Sequence, residues 1–209
     1  MPTGTSFGLF LTAAFILALT PGPGIFYVLA QSLRGGRRVG IASSCGTALG
    51  GLVHVVAAAL GVSAILATSA LAFSIVKYVG AAYLIYLGLR TLTSTEELDL
   101  EAPFPLIDTR RSLYQGITTE MLNPKTALFF LAFIPQFINP HGVVFLQFVL
   151  LGCISVGLNT SADVVVALLA GPIGQRLRAS ARLRRRQRVA TGSALIGLGA
   201  YVAFSGKQQ

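Results

Sequence analysis

Five ionisable side chains stand inside otherwise apolar runs of this chain: His54, Lys77, Glu120, Lys125 and Asp163. A charge in hydrocarbon is costly, so such residues face a protein interior or a watery path and find partners there. Lys125 follows Pro124 near the middle of its run, and Glu120 and Asp163 are the acids available to it. A Lys125–Asp163 pair would neutralise both members, and a solute carrying its own ammonium and carboxylate could open it. The plainer alternative is a fixed ion pair that locks two helices. Asn159 and Thr160 precede Asp163 by about one turn and could share an ammonium group or a proton with it. Glu120 is expected at the cytoplasmic entrance, where it also reads as an interfacial carboxylate in water. His54 permits proton traffic, because an imidazole can change charge near neutral pH, although a lone His is more often held by packing hydrogen bonds. Asp163, His54 and Glu120 are therefore the proton-coupling candidates. Lys77 lies nearer the start of its run and is expected to reach toward an interface.

Two interruptions of the backbone must position these groups. The first is Thr20-Pro21-Gly22-Pro23-Gly24, set in an apolar run with no charge before Arg34. Each proline lacks an N–H and clashes with the carbonyl four residues back, while Gly22 and Gly24 accept the dihedrals that follow. The second is Asn123-Pro124-Lys125. Asn123 can cap a helix that restarts at Pro124, and the free N–H groups of such a half-helix attract a carboxylate. A broken backbone survives in lipid only where protein or a water-filled cavity covers it. Pro21, Gly22, Pro23 and Gly24 together with Asn123, Pro124, Lys125, Asn159 and Asp163 thus form the candidate binding set.

Composition fixes the class. The chain has 209 residues, 54% hydrophobic and 11% charged, with a mean hydropathy of +0.73. Soluble domains carry about 25% charged residues. Apolar runs near the length needed to cross a bilayer recur along the chain. They predict an all-α membrane protein of six transmembrane helices: about 7–30, 39–66, 71–89, 113–137, 143–173 and 189–204. The stripe Ala42, Gly46, Gly50, His54, Ala58 in the second run contains a G-x-x-x-G spacing suited to close helix packing, within the chain or in a homodimer. Cys45 and Cys153 lie in apolar runs and are expected as small core side chains. The N-terminal run reads as a first span and not as a cleaved leader, because it lacks a basic start and is proline-interrupted.

Thirteen of the sixteen basic residues are Arg in three short segments, at 34–38, 90–111 and 176–188. The positive-inside rule then puts those segments in the cytoplasm and both termini outside. This placement accounts for the net charge of +9 without a nucleic-acid site. The acidic stretch within 91–112 reads as a solvated loop between halves. No phosphate-binding loop points to ATP, and the two histidines, one in a run and one in a turn, do not make a metal site. No cofactor is implied. A membrane-embedded enzyme would need clustered catalytic groups, whereas the candidates here are scattered over four runs.

Three runs per half force the second half to insert upside down relative to the first. Pro23 and Pro124 fall in the first run of each half, and similar apolar lengths lead on to Gly40 and Gly142. The pattern predicts one transmembrane domain of two inverted three-helix repeats, about 7–90 and 113–204. The first helix of each half is broken by proline, and the breaks meet near mid-membrane.

The motifs Thr20-Pro21-Gly22-Pro23-Gly24, Gly46/Gly50/His54, 80–88 (GAAYLIYLG), Asn123-Pro124-Lys125-Thr126-Ala127-Leu128-Phe129-Phe130 and Pro135-Gln136-Phe137 resemble the LysE/RhtB family of amino-acid exporters. The resemblance spans about 7–204. It implies efflux of amino acids or their derivatives across the bacterial inner membrane, driven by the proton-motive force through proton antiport. The partners it implies are the amino-acid substrate, protons and membrane lipid. Little intramembrane acid is available for a second cation, which favours a neutral substrate of the homoserine, threonine or leucine type. A passive channel or a structural membrane partner is the alternative.

Overall fold

The computed structural model describes residues 4–93, 108–139 and 141–204, and these contain helices and no strand. Residues 94–107 of the expected loop between halves, Pro140, and the tail 205–209 lie outside the described residues. The helices are α1 (Gly4–Leu19), α2 (Pro23–Thr68), α3 (Ala70–Thr93), α4 (Thr109–Met121), α5 (Pro124–Leu128), α6 (Val144–Leu168), α7 (Ala170–Ala179) and α8 (Ala181–Phe204). A π-helical turn, Phe129–Phe133, and a 3₁₀ turn, Ile134–Phe137, continue α5. Three stretches are long and apolar enough to cross a membrane, Pro23–Val62, Leu71–Thr93 and Val144–Leu168, and Ser6–Leu19 is a shorter apolar helix.

Proline chemistry explains where the helices stop. The residue before a proline is pushed out of the α region, so α1 ends before Thr20-Pro21 and α2 starts on Pro23, a favoured first position. Asn123 caps α5 as expected: its Oδ1 accepts from Lys125 N at 3.1 Å, with Pro124 next in the chain. Pro135 cannot supply an N–H to the carbonyl four residues back, and here the chain passes through π and 3₁₀ turns instead of a regular helix.

The link expected around 32–38 is a reversal inside α2. Gly36 has φ 74° and ψ −174°, a region that essentially only glycine occupies. Gly40 lies against the Ser32 side chain; in a straight helix eight residues span about 12 Å. The two limbs, 23–35 and 37–68, therefore fold back on each other. The Arg-rich link expected over 174–188 is helical apart from Ser180, for α6 stops at Leu168, α7 carries Arg176 and Arg178, and the other five Arg residues fill the first turns of α8.

Packing is led by α2 against α4 and α6, and by α3 against α8. Gly46 and Gly50 meet α4 backbone: a Cβ on Gly50 would stand 2.7 Å from Ile117 O, and Gly46 abuts Leu113 O. The G-x-x-x-G face is thus spent within the chain. Gly88 and Gly192 bring α3 and α8 together in the same manner. The core centres on Phe10, Phe129, Phe130, Phe133, Phe137 and Phe148, all buried, with Phe129–Phe133 and Phe133–Phe137 ring centroids both 4.9 Å apart. The outside is apolar, with Leu60, Leu71, Val79, Val143 and Leu146 exposed, as hydrocarbon surroundings permit. Cys45 and Cys153 belong to that exterior and not to the core. Lys77, expected to reach an interface, is 7% exposed, with its Nζ 5.4 Å from the centroid of the Tyr78 ring.

Candidate functional site

The two helix breaks meet. Pro21 has no N–H to offer the Leu17 carbonyl, which a continuous helix would have satisfied from that position. Lys125 Nζ, from the start of α5, donates to that carbonyl at 3.3 Å and to Thr20 O at 2.8 Å. A cation at the carbonyl end of a helix also suits the helix dipole. The lysine stem runs past Gly22, where a Cβ would stand 3.2 Å from Nζ and 3.4 Å from Cδ and Cε. Lys125 is 8% exposed.

The second break contributes a carboxylate. Glu120 Oε1 accepts from Thr126 Oγ1 at 2.6 Å, and Oε2 accepts from Asn123 Nδ2 at 3.1 Å. Oε2 also lies 2.7 Å from where a Cβ of Gly24 would be. It therefore sits in the first turn of α2, the positive end of that helix. Glu120, half-buried in the last turn of α4, lines the same pocket as Lys125.

The expected Lys125–Asp163 ion pair does not form among the described residues. Lys125 is committed to backbone carbonyls, while Asp163 Oδ2 accepts from Thr47 Oγ1 at 2.8 Å. Asp163 is 5% exposed, on α6. Asn159 Nδ2 donates to Ser155 O of its own helix at 3.0 Å, and Asn159 and Thr160 both line the pocket. His54 lies behind this lining: its ring contacts Glu120 O through Nε2 at 2.9 Å and stacks on Phe130 at 6.2 Å.

One pocket of about 30 Å³ is lined by Gly22, Gly24, Glu120, Asn123, Lys125, Thr126, Asn159, Thr160 and Asp163, with Thr47 and Gly51 from α2. Pro21 and Pro23 shape its wall through the break but are not on its surface. The volume suits one or two waters and is too small for an amino acid. Thr47 and Thr126 are additions that residue type alone did not single out. Thr47 lies one position past Gly46 of the small-residue stripe, and Thr126 is the third residue of a capped helix. Among the described residues no group of three or more His, Cys, Asp or Glu gathers for a metal.

Helices with an apolar exterior and their acids and lysine folded inward define a multi-pass α-helical membrane protein. The chain belongs to the LysE type translocator family, whose pattern matches residues 15–206. It is accordingly a transporter and not an enzyme. It is similar to an uncharacterised membrane protein of Pseudomonas aeruginosa, 34% identical over 97% of this chain and 94% of the relative. An uncharacterised membrane protein of Vibrio cholerae is 29% identical over 93% of this chain and 94% of its own length. The homoserine/homoserine lactone efflux protein of Salmonella typhimurium is 31% identical over 78% of this chain and 83% of its own length. No solved structure matches.

Proposed function

We propose that this protein exports a neutral amino acid or amino-acid derivative, of the homoserine, threonine or leucine type, across the bacterial inner membrane by proton antiport. The observation that carries the reading is the meeting of both helix breaks across Lys125 and Glu120, over a pocket that also holds Asp163. Helix ends of both polarities then face one small hollow, the arrangement that discontinuous helices give to solute sites in secondary transporters. The Salmonella relative, an efflux protein for homoserine and its lactone, supports the solute class.

In this reading the chain makes six crossings as two inverted repeats. α1 with 23–35 forms the first crossing and α4 with α5 and its π and 3₁₀ turns the fourth. The packing supports it. The limb 37–68 lies on α4 through Gly46 and Gly50, the limb 23–35 lies on α6 through Leu29 and Val166, and α3 lies on α8, while 37–68 also meets α6 at Thr47–Asp163 and 23–35 meets α4 at Tyr27–Ser112. Exchanging the halves maps the first contact onto the second and the third onto itself. The three Arg segments face the cytoplasm and both termini face the periplasm. Asp163 carries the exchanged proton, Lys125 and the two breaks hold the solute, and Asn159 orients it.

The test is uptake of labelled homoserine into inside-out vesicles with an imposed pH gradient, acid inside. Expected is uphill accumulation that collapses with a protonophore and is abolished by Asp163→Asn and by Lys125→Met in protein that still inserts. Flux that only runs downhill makes the protein a channel, and normal uptake by both variants removes the assignment.

A further inference from the structure

We propose that the carbonyl end of α1, Leu17 O and Thr20 O, is a receptor for a primary ammonium group, and that Lys125 occupies it as an internal stand-in for the solute. The inference rests on the transport reading for the identity of the solute, but the receptor itself does not depend on it.

Two carbonyls are available there for a stated reason. Pro21 denies Leu17 O its helical donor, so that this oxygen keeps a lone pair beside the 3.1 Å bond it accepts from Thr20 N, and the break at Thr20–Gly22 takes Gly24 N–H away from Thr20 O. Thr20 Oγ1 turns back to Ile16 O at 2.7 Å, so the hydroxyl does not fill the gap. Both oxygens converge on one Nζ, at 3.3 and 2.8 Å, at the negative end of a 16-residue helix. An ammonium brings three donors in a compact head. Gly22 leaves room for the stem that delivers it, and the stem walls the pocket.

At the other end of the same break the Glu120 carboxylate, held by Thr126 and Asn123, lies beside Gly24 in the first turn of α2. One ammonium and one carboxylate thus stand at the two ends of one broken helix, the two charges that a zwitterionic amino acid carries on one α-carbon. A pocket of about 30 Å³ is what remains while the protein's own groups hold those places. An incoming solute puts its α-ammonium on Leu17 O and Thr20 O, and Lys125 is released toward the solute's carboxylate. Exchange of one cation for another leaves no carbonyl bare and makes the α-ammonium a condition of entry.

Lys125→Ala removes the atoms of n-propylammonium. Thermal unfolding of the purified full chain in detergent is read with n-propylammonium, n-propanol and tetramethylammonium. The expected result is a saturable rise in Tm of about 3–6 °C at tenfold excess over Kd for the variant with n-propylammonium alone. Wild type is unmoved. No rise, or an equal rise with n-propanol, overturns the inference. The unmodified protein gives a second arm that does not depend on the variant folding. A neutral L-amino acid that raises Tm must lose the effect on N-acetylation, and equal stabilisation by both forms overturns the proposal. Rescue by n-propylammonium with no transport of any amino acid leaves the receptor standing and removes the transport reading instead.

Discussion

The Asp163 carboxylate is buried and its hydrogen bond comes from Thr47 Oγ1 across 116 residues of sequence. Val has nearly the shape of Thr without the donor, and a buried acceptor left unmade costs about 1–3 kcal/mol. Thr47→Val should therefore lower Tm by several degrees and reduce transport, whereas Thr47→Ser should keep both close to wild type. Lys125, Glu120, Asn123 and Asp163 could be picked out from residue type, because a charge or an amide in an apolar run has few bland explanations. Their partners could not. Lys125 bonds to main-chain carbonyls, and carbonyls look alike in every sequence. Thr47 is an ordinary helical residue until the register of α2 on α6 is known.

At the scale of elements, glycine sets the spacing and proline the ends. Gly36 has a conformation that an L side chain occupies only under strain. Gly36→Ala should cost about 1–3 kcal/mol and loosen the reversal of α2, seen as faster proteolysis near Arg37. Gly116→Val should be more severe, because a Cβ at 116 already stands 2.7 Å from Ser43 O and the α2–α4 contact has no slack. Gly157, with nothing within 4 Å of its Cβ position, should accept Ala with an unchanged melting curve and serves as the control. Both proline breaks and the cap on Asn123 were legible, since each follows from missing donors and restricted dihedrals. The hairpin at Gly36 was hidden in a run of Gly and Arg that reads equally well as an open link. The π turn at Phe129–Phe133 has no sequence signal beyond Pro135 nearby. The helical state of 181–188 was masked by its charge, which marks sidedness and says little about backbone.

For the whole molecule, the proposed sidedness has a direct check. Alkaline phosphatase fused after Phe204 should be active and green fluorescent protein at the same point dark; the reverse pair of signals would invert the topology. The apolar exterior and the three Arg segments made the class readable from composition alone. The packing order, with α3 on α8 and α2 against both α4 and α6, was not, because apolar helices of similar length offer many equivalent neighbours.

The stacked rings of Phe129, Phe133 and Phe137 carry a consequence for the cell that makes this protein. They join Phe10 and Tyr201 in one aromatic cluster, and Phe133, Phe137 and Tyr201 also wall an apolar cavity of about 340 Å³ that reaches Leu17 and Thr20. A file of hydrogen-bonded waters is the quickest way for protons to cross a bilayer, and apolar rings around such a hollow give waters no polar partners to anchor a file. Phe133→Ser should turn silent vesicles into ones that acidify passively, visible with a trapped pH dye.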